Sequence, residues 1–138
     1  MVDRRIISEK VDTVEKSIKR VIKRRGESLS EFKINEDLQD SVLLHLMQAI
    51  QGCIDLAAHI VSDEELGLAS STRDFFYILS DSKIISTELR EKMIHAVGFR
   101  NLAAHEYAKL DMERAYEIAM HDIKDLEEFV GVIVRRFA

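Results

Sequence analysis

The most apolar part of this chain is VLLHLMQAIQGCIDLAAHI (residues 42–60), and this segment decides the fold. Its apolar side chains recur every three or four residues, which is the period of an α-helix. One stripe is formed by Val42, Leu46, Ala49, Cys53, Ala57 and Ile60. The residues that widen this stripe are Leu43, Met47, Ile50 and Ile54. So wide an apolar face needs more than one neighbour to cover it, so we expect a central core helix, or one that also lies in a dimer interface.

Amphipathic helices are expected on both sides of this segment. The chain has 138 residues, no proline and five glycines, so it should consist of helices joined by short polar breaks. A first helix is predicted to end at Gly26. A linker over residues 29–34 should follow, and Asn35 or Asp37 should cap the start of the core helix. The apolar stripe of the first helix consists of Ile7, Val11, Val14, Ile18 and Val21.

The second half of the chain predicts three more helices. A short helix over residues 73–79 should start at Ser71 or Thr72, a fourth helix at Ser86, and the last helix at Asp111. The stripe of the last helix consists of Ala119, Ile123, Leu126, Val130, Ile133 and Phe137. The predicted fold class is all-α, an antiparallel four-helix bundle with one additional short helix, in a single domain over residues 1–138.

Composition limits the environments that suit this chain. Hydrophobic residues make up 46% and charged residues 33%, which fits a soluble globular protein, and no apolar run approaches the ~18 residues of a membrane span. The N-terminal residues do not resemble a secretory signal, and the single cysteine, Cys53, cannot form an internal disulfide and should be a packing residue. A cytoplasmic location is therefore expected.

Charge is distributed unevenly along the chain. A net charge of -5 argues against a protein that coats nucleic acid, yet Lys19, Arg20, Lys23 and Arg24 are concentrated at the end of the first helix. Solvated cations near the negative end of a helix dipole are the simpler interpretation. The other interpretation is a patch that attracts RNA or an acidic partner, and these four residues are our candidates for RNA binding.

The chemically distinctive segment is GFRNLAAHEY (residues 98–107), which contains Arg100, Asn101, His105 and Tyr107. A guanidinium can hold a phosphate, an imidazole can move a proton near neutral pH, and a carboxamide can orient either group. Arg100 also continues the apolar stripe of the fourth helix, which consists of Leu89, Met93 and Ala96. An unpaired charge is costly there, so we expect a partner, a ligand or a solvent-filled cleft around it. This combination predicts phosphodiester chemistry.

The spacing of Arg100 and His105 raises a geometric problem. Residues five apart lie roughly 140° apart around a regular helix, so these two side chains could not easily meet on one phosphate from a straight helix in one chain. Either the helix is distorted here, or a second copy of the chain supplies the missing group. Two-fold symmetry would bring two Arg100–His105 sets into one groove, and we favour this homodimer.

The segment VGFRNLAAHEY (residues 97–107) resembles the motif region of the HepT-like ribonucleases, the toxin branch of the HEPN superfamily. The segments DLAAHI (residues 55–60) and RDFFYIL (residues 73–79) extend the resemblance over most of the chain. It implies a HEPN-like bundle and an endoribonuclease that requires no metal and no cofactor and acts as the toxin of a toxin–antitoxin pair. The implied partner is a minimal nucleotidyltransferase of the MntA type, which would inactivate the toxin by transferring AMP to Tyr107.

The resemblance also suggests a role for each residue of the motif. Arg100 would bind the scissile phosphate of an RNA substrate, and His105 would serve as general base on the ribose 2′-hydroxyl or as general acid at the leaving 5′-oxygen. Asn101 would bind the phosphate or orient a catalytic side chain. The alternative is a non-catalytic HEPN module that binds a nucleotidyltransferase or a nucleotide through the same cleft, although such a module has little need for the imidazole.

The remaining histidines offer weaker signals. His121 and Asp122 form a dipeptide found in metal-dependent phosphohydrolases, but the other ligands of that class are not recognisable, so no metal site is expected. His45 and His59 lie in the apolar helix and should be core histidines with satisfied hydrogen bonds. His95 is close enough in sequence to Arg100 that it could join the cleft.

Overall fold

The computed structural model describes residues 2–26 and 28–137, which contain helices and turns but no strand. The helices are α1 (Arg4–Arg24), α2 (Leu29–Ile34), α3 (Glu36–Asp63), α4 (Thr72–Asp81), α5 (Thr87–His105), α6 (Met112–Glu117) and α7 (Ile123–Phe137). A 3-10 turn (Tyr107–Lys109) follows α5, and a π-helical turn (Ile118–Asp122) joins α6 and α7 into one long final helix. The all-α fold class is confirmed.

Helix α3 is the centre of the core, as its sequence predicts. All six residues of its main apolar stripe are fully buried, and it packs against α1, α4, α5 and α7. Helix α1 comes so close that a Cβ atom at Gly52 would collide with Cγ2 of Val14. By length and composition alone α3 could cross a membrane, but half of its most apolar window is buried inside the structure, as in the core helix of a globular protein.

Neighbouring long helices run antiparallel. The end of α1 meets the beginning of α3, where Nη1 of Arg24 donates a hydrogen bond to Oγ of Ser41 at 3.1 Å. The first half of α5 contacts the later part of the final helix. Further along α5, the contacts are with the middle of the final helix. The contacts that show this are Lys92–Glu128 at 3.5 Å and His95–Asp122 at 3.7 Å.

Most helix starts lie where the sequence predicts them. The side chain of Asn35 accepts a hydrogen bond from the backbone N–H of Leu38 at 3.0 Å, and Ser86 caps α5 in the same way at 3.0 Å. Ser71 begins α4 with a capping box, and Asp111 caps α6. These side chains satisfy backbone N–H groups that have no partner within their helices.

The prediction of a linker over residues 29–34 is wrong, because this segment forms helix α2. Oγ of Ser28 accepts a hydrogen bond from the backbone N–H of Glu31 at 3.2 Å, which starts the helix. Phe32 then fills the core, fully buried, with its ring centre 5.3 Å from that of Tyr116. A buried aromatic residue thus stabilises a helix too short to form alone.

The final helix was expected to be regular, but it contains the π-helical turn Ile118–Asp122. A π-helical turn widens the helix and displaces carbonyl groups from the normal hydrogen-bond pattern. Nη1 of Arg25, just after α1, donates to the carbonyl oxygen of Ala119 at 3.1 Å and lies 3.5 Å from that of Met120. The guanidinium therefore supports the irregular turn and ties the end of α1 to it.

Candidate active site

The end of α5 presents the distinctive segment. The helix is regular from Thr87 to His105, and the backbone N–H of Glu106 closes it by donating to the carbonyl oxygen of Leu102 at 2.8 Å. Of the two alternatives, a distorted helix that brings Arg100 and His105 of one chain together is therefore excluded. Tyr107 lies beyond the helix in the 3-10 turn, so it does not continue the apolar stripe of α5.

Arg100 lies half-buried on the core-facing side of α5. Its Nη1 donates to Oδ1 of Asn101 at 3.0 Å. Throughout residues 2–26 and 28–137, no carboxylate oxygen lies within 4.0 Å of this guanidinium. A neutral amide orients the guanidinium without neutralising it, so the positive charge and several N–H groups are left for an anion.

His105 occupies the last turn of α5 with its side chain exposed. In the described part of the chain, its imidazole makes no hydrogen bond or ion pair. Asn101, four residues earlier on the same helix, lies on the same face as His105. The ring is thus free to exchange a proton with a molecule that approaches from solvent.

Tyr107 is tied to α3 by a contact that sequence analysis missed. Its hydroxyl donates a hydrogen bond to Oδ1 of Asp40 at 2.8 Å, while the residue is still 48% exposed. This hydrogen bond, then partial burial and the negative charges of Asp40 and Glu36, raise the pKa of Tyr107 above its ordinary value of 10.0. No local pattern indicates Asp40, because 67 residues separate it from its partner.

A shallow apolar groove adjoins this hydrogen bond. It is lined by Asp40, Leu43, Leu44, Met47, Ala103 and Tyr107. Leu44 is 54% exposed, which is unusual for a leucine on the most apolar helix of the bundle. The groove therefore places exposed apolar surface directly beside the motif.

The four candidate RNA-binding residues do not form one cluster. All are exposed, but Arg20 lines a surface pocket with residues of α3, and Arg24 donates to Ser41, next in sequence to Asp40. Lys19 lies on the other side of α1, in a groove against α7. Arg24 is therefore at the same end of the bundle as Tyr107, whereas Lys19 faces elsewhere.

The other histidines have local partners. His95 could have joined the cleft, but it contacts the final helix instead: its Nε2 lies 3.3 Å from Nη2 of Arg114 and 3.7 Å from Oδ2 of Asp122. His121 contacts Glu117 instead, at 3.5 Å, so His121 and Asp122 do not act as a pair. Within the described residues, no group of three or more His, Cys, Asp or Glu side chains is arranged to hold a metal ion.

The two histidines of α3 are half-buried and not in the core. Nδ1 of His45 lies 3.2 Å from Oε1 of Gln48, and Nε2 of His59 lies 3.1 Å from Oδ2 of Asp63. Both therefore have polar partners on their own helix, as expected. Cys53 is fully buried, and burial raises the pKa of its thiol far above the ordinary value, so its role is packing.

A helical bundle that carries Arg100, Asn101, His105 and Tyr107 at the end of one helix defines a ribonuclease of the HEPN type. The chain belongs to the HepT-like family: the family model described as ribonuclease HepT-like matches residues 14–133. It is 37% identical over 128 residues to the mRNA nuclease HepT of Shewanella oneidensis strain MR-1, covering 93% of this chain and 96% of that protein. The predictions of family and of ribonuclease activity are confirmed.

Solved structures agree with this assignment. A toxin–antitoxin complex with AMP-PNP contains a chain that superposes with a TM-score of 0.89 at 35% identity, covering 95% of this chain and 98% of that one. The tri-AMPylated HEPN toxin of Shewanella oneidensis, in complex with its MNT antitoxin, gives the same TM-score and identity over 99% of this chain and 100% of that one. This chain is therefore a homologue of toxins that have been seen both bound to an antitoxin and modified with AMP.

Proposed function

We propose that this chain is the toxin of a toxin–antitoxin pair and cleaves RNA without a metal ion, using Arg100, Asn101 and His105. The observation that carries the proposal is the half-buried guanidinium of Arg100, which has an amide partner but no carboxylate within 4.0 Å among the described residues. An uncompensated charge at such a position is costly unless a ligand uses it. A phosphodiester is the anion that its position beside an exposed imidazole favours.

In the proposed reaction each side chain has one task. Arg100 binds the scissile phosphate and stabilises the charge that develops on it, and Asn101 fixes the plane of the guanidinium. His105 removes the proton of the ribose 2′-hydroxyl or protonates the leaving 5′-oxygen. Attack by the 2′-hydroxyl leaves a 2′,3′-cyclic phosphate, so DNA should not be cut.

Two copies of the chain should form the complete site. Because α5 is regular, Arg100 and His105 of one chain lie on different sides of the helix, roughly 140° apart. A homodimer would bring the guanidinium of one copy near the imidazole of the other. Arg24 lies toward the same end of the bundle as Tyr107 and would extend the contact with the RNA backbone.

Control of the ribonuclease would act through Tyr107. In this proposal, a minimal nucleotidyltransferase antitoxin transfers AMP to its hydroxyl, as the AMPylated relative suggests. The exposure of Tyr107 supports access by a partner enzyme. The added phosphodiester would bring bulk and negative charge close to the residues that bind RNA, and like charges would repel the substrate.

The first test is cleavage of total RNA by the purified protein in EDTA, with Tyr107 shown to be unmodified by mass spectrometry. His105→Ala should lower the rate by about 10²–10⁴-fold, the usual contribution of a general acid or base. His121→Ala is the matched control, because this imidazole is equally exposed but lies outside the motif. Absence of cleavage by the unmodified wild type would favour the binding-module alternative over the proposed enzyme.

A mixing experiment tests the shared site. Arg100→Ala and His105→Ala proteins should each be inactive, but heterodimers of the two retain one intact site if each site combines residues of two chains. Mixing them should then restore about a quarter of the wild-type activity, since half of the dimers are mixed and each has one working site. If both residues act within one chain, the mixture stays inactive.

A further inference from the structure

The hydrogen bond between Tyr107 and Asp40 joins two exposed side chains that the motif does not connect. The phenolic oxygen lies 2.8 Å from Oδ1 of Asp40, near the start of α3. A solvent-exposed pair held by a single hydrogen bond adds little to stability, so stability alone does not account for the arrangement. What it does fix is the direction of the Tyr107 hydroxyl and the place where its proton can go.

Among the described residues, no carboxylate accepts a hydrogen bond from either of the other two tyrosines. Tyr77 is 42% exposed, close to the 48% of Tyr107, yet the guanidinium of Arg90 stacks over its ring at 5.1 Å. Within the described residues, its hydroxyl makes no hydrogen bond. Tyr116 is buried in the core, with 8% exposure. Asp40 therefore distinguishes Tyr107 from a tyrosine of similar accessibility.

We propose that Asp40 is the general base for nucleotidyl transfer to Tyr107, an inference that rests on the proposed function of Tyr107 as AMP acceptor. The phenolic oxygen attacks the α-phosphorus of a nucleoside triphosphate held by the partner enzyme, and its proton passes to Oδ1 of Asp40. A new O–P bond forms while the bond between the α-phosphorus and the bridging oxygen breaks. Pyrophosphate leaves with that electron pair, and Asp40 later returns the proton to solvent.

The electrostatics of the pair explain why a base is needed. The hydrogen bond to Asp40, then partial burial and the negative charges of Asp40 and Glu36, raise the pKa of Tyr107 and keep its hydroxyl in the neutral form. A free phenolate is therefore even scarcer near neutral pH than for an ordinary tyrosine, and the proton must leave as the O–P bond forms. After transfer the oxygen has no proton to donate, so the hydrogen bond is lost and the new negative charge faces two carboxylates.

The test measures transfer of radiolabelled AMP from ATP to the full-length, unmodified chain by its partner nucleotidyltransferase. Asp40→Asn keeps the size and the hydrogen-bond acceptor but cannot take the proton, so the rate at saturating ATP should fall by about 10²-fold or more. Asp40→Glu should recover part of this loss. Asp37→Asn is the matched control, because it removes a carboxylate one turn earlier without touching Tyr107, and should behave as wild type.

A pH profile separates proton transfer from a merely structural role. In the wild type, where Asp40 takes the proton as the O–P bond forms, the rate should change little with pH near neutrality. In Asp40→Asn it should keep rising toward the pKa of the phenol, since only phenolate remains reactive.

Two results would overturn the inference in different ways. If the wild type is labelled at Tyr107 and Asp40→Asn is labelled within about threefold of it, with the same pH profile, Asp40 is not the base and the proposed function stands. If the wild type is not labelled, or Tyr107→Phe is labelled equally well, Tyr107 is not the acceptor. The proposed regulation and the inference then fail together.

Discussion

Gly52 and Gly98 should respond in opposite ways to the same substitution. In a helix interior, replacing glycine with alanine is expected to stabilise by about 0.5–1 kcal/mol, because the backbone of alanine has less freedom to lose. At Gly98 a Cβ atom would meet nothing within 4 Å, so this gain should appear in full. At Gly52 the new methyl would collide with Cγ2 of Val14, a fully buried residue whose branched side chain cannot turn away.

The balance at Gly52 should be unfavourable. Overpacking a core contact costs about 1–3 kcal/mol, which exceeds the gain in helix propensity. We therefore expect Gly52→Ala to lower the free energy of unfolding and Gly98→Ala to raise it, with a difference of about 1–3 kcal/mol between the two. Urea denaturation followed by circular dichroism measures this at one fixed protein concentration, because dimer formation would make the midpoint depend on concentration.

A double mutant identifies the cause. In a Val14→Ala background the collision is gone, so Gly52→Ala should become neutral or stabilising, with a coupling energy of about 1–3 kcal/mol. The reasoning about the close contact of α1 and α3 is refuted if Gly52→Ala stabilises the wild type as much as Gly98→Ala does.

Three further predictions concern packing, reactivity and pH. Phe32→Ala should lower the free energy of unfolding by about 3–5 kcal/mol because its ring is fully buried. Ile34→Ala, on the exposed side of the same helix, should change it by less than about 0.5 kcal/mol. Equal effects of the two substitutions in urea denaturation would show that α2 does not pack on the core. Cys53 should resist iodoacetamide in the folded protein and react in denaturant, because burial raises the pKa of its thiol. Rapid labelling of the native protein, detected by mass spectrometry, would contradict this burial. Burial, followed by the charge of Asp122, raises the pKa of Asp125 above 3.8, so the folded state holds this proton more tightly than the unfolded state does. The wild type should therefore lose stability relative to Asp125→Asn as pH rises from 3.8 through the raised pKa, and a parallel pH dependence of the two proteins would contradict this.

Local signals in the sequence were sufficient for most of the fold. The stripe of α3 and the caps at Asn35 and Ser86 depend on residues within one or two helical turns, so periodicity and side-chain chemistry reveal them. Helix α2 had a local signal as well, since Ser28 and Glu31 have the spacing of a helix start. Its stability, however, comes from burial of Phe32 against residues that are distant in sequence, such as Tyr116.

The site was predictable as chemistry and not as geometry. The motif indicated Arg100 and His105 as reactive groups, but the sequence left open whether α5 is regular or distorted at the motif. The contact of Tyr107 with Asp40 spans 67 residues, and that of Arg25 with Ala119 spans 94. Contacts of this kind depend on how the helices are arranged in space, and no periodic pattern in one sequence encodes them.

The contact of Arg25 with the π-helical turn has a consequence for synthesis of the chain. Translation at about 5–20 residues per second separates these two residues by about 5–20 s. During that interval the apolar face of α1 can pack on α3, but it has no final helix to complete its cover. A chain that stops before the π-helical turn therefore lacks one wall of the core, so the ribonuclease can complete its fold only after the final helix has been synthesised.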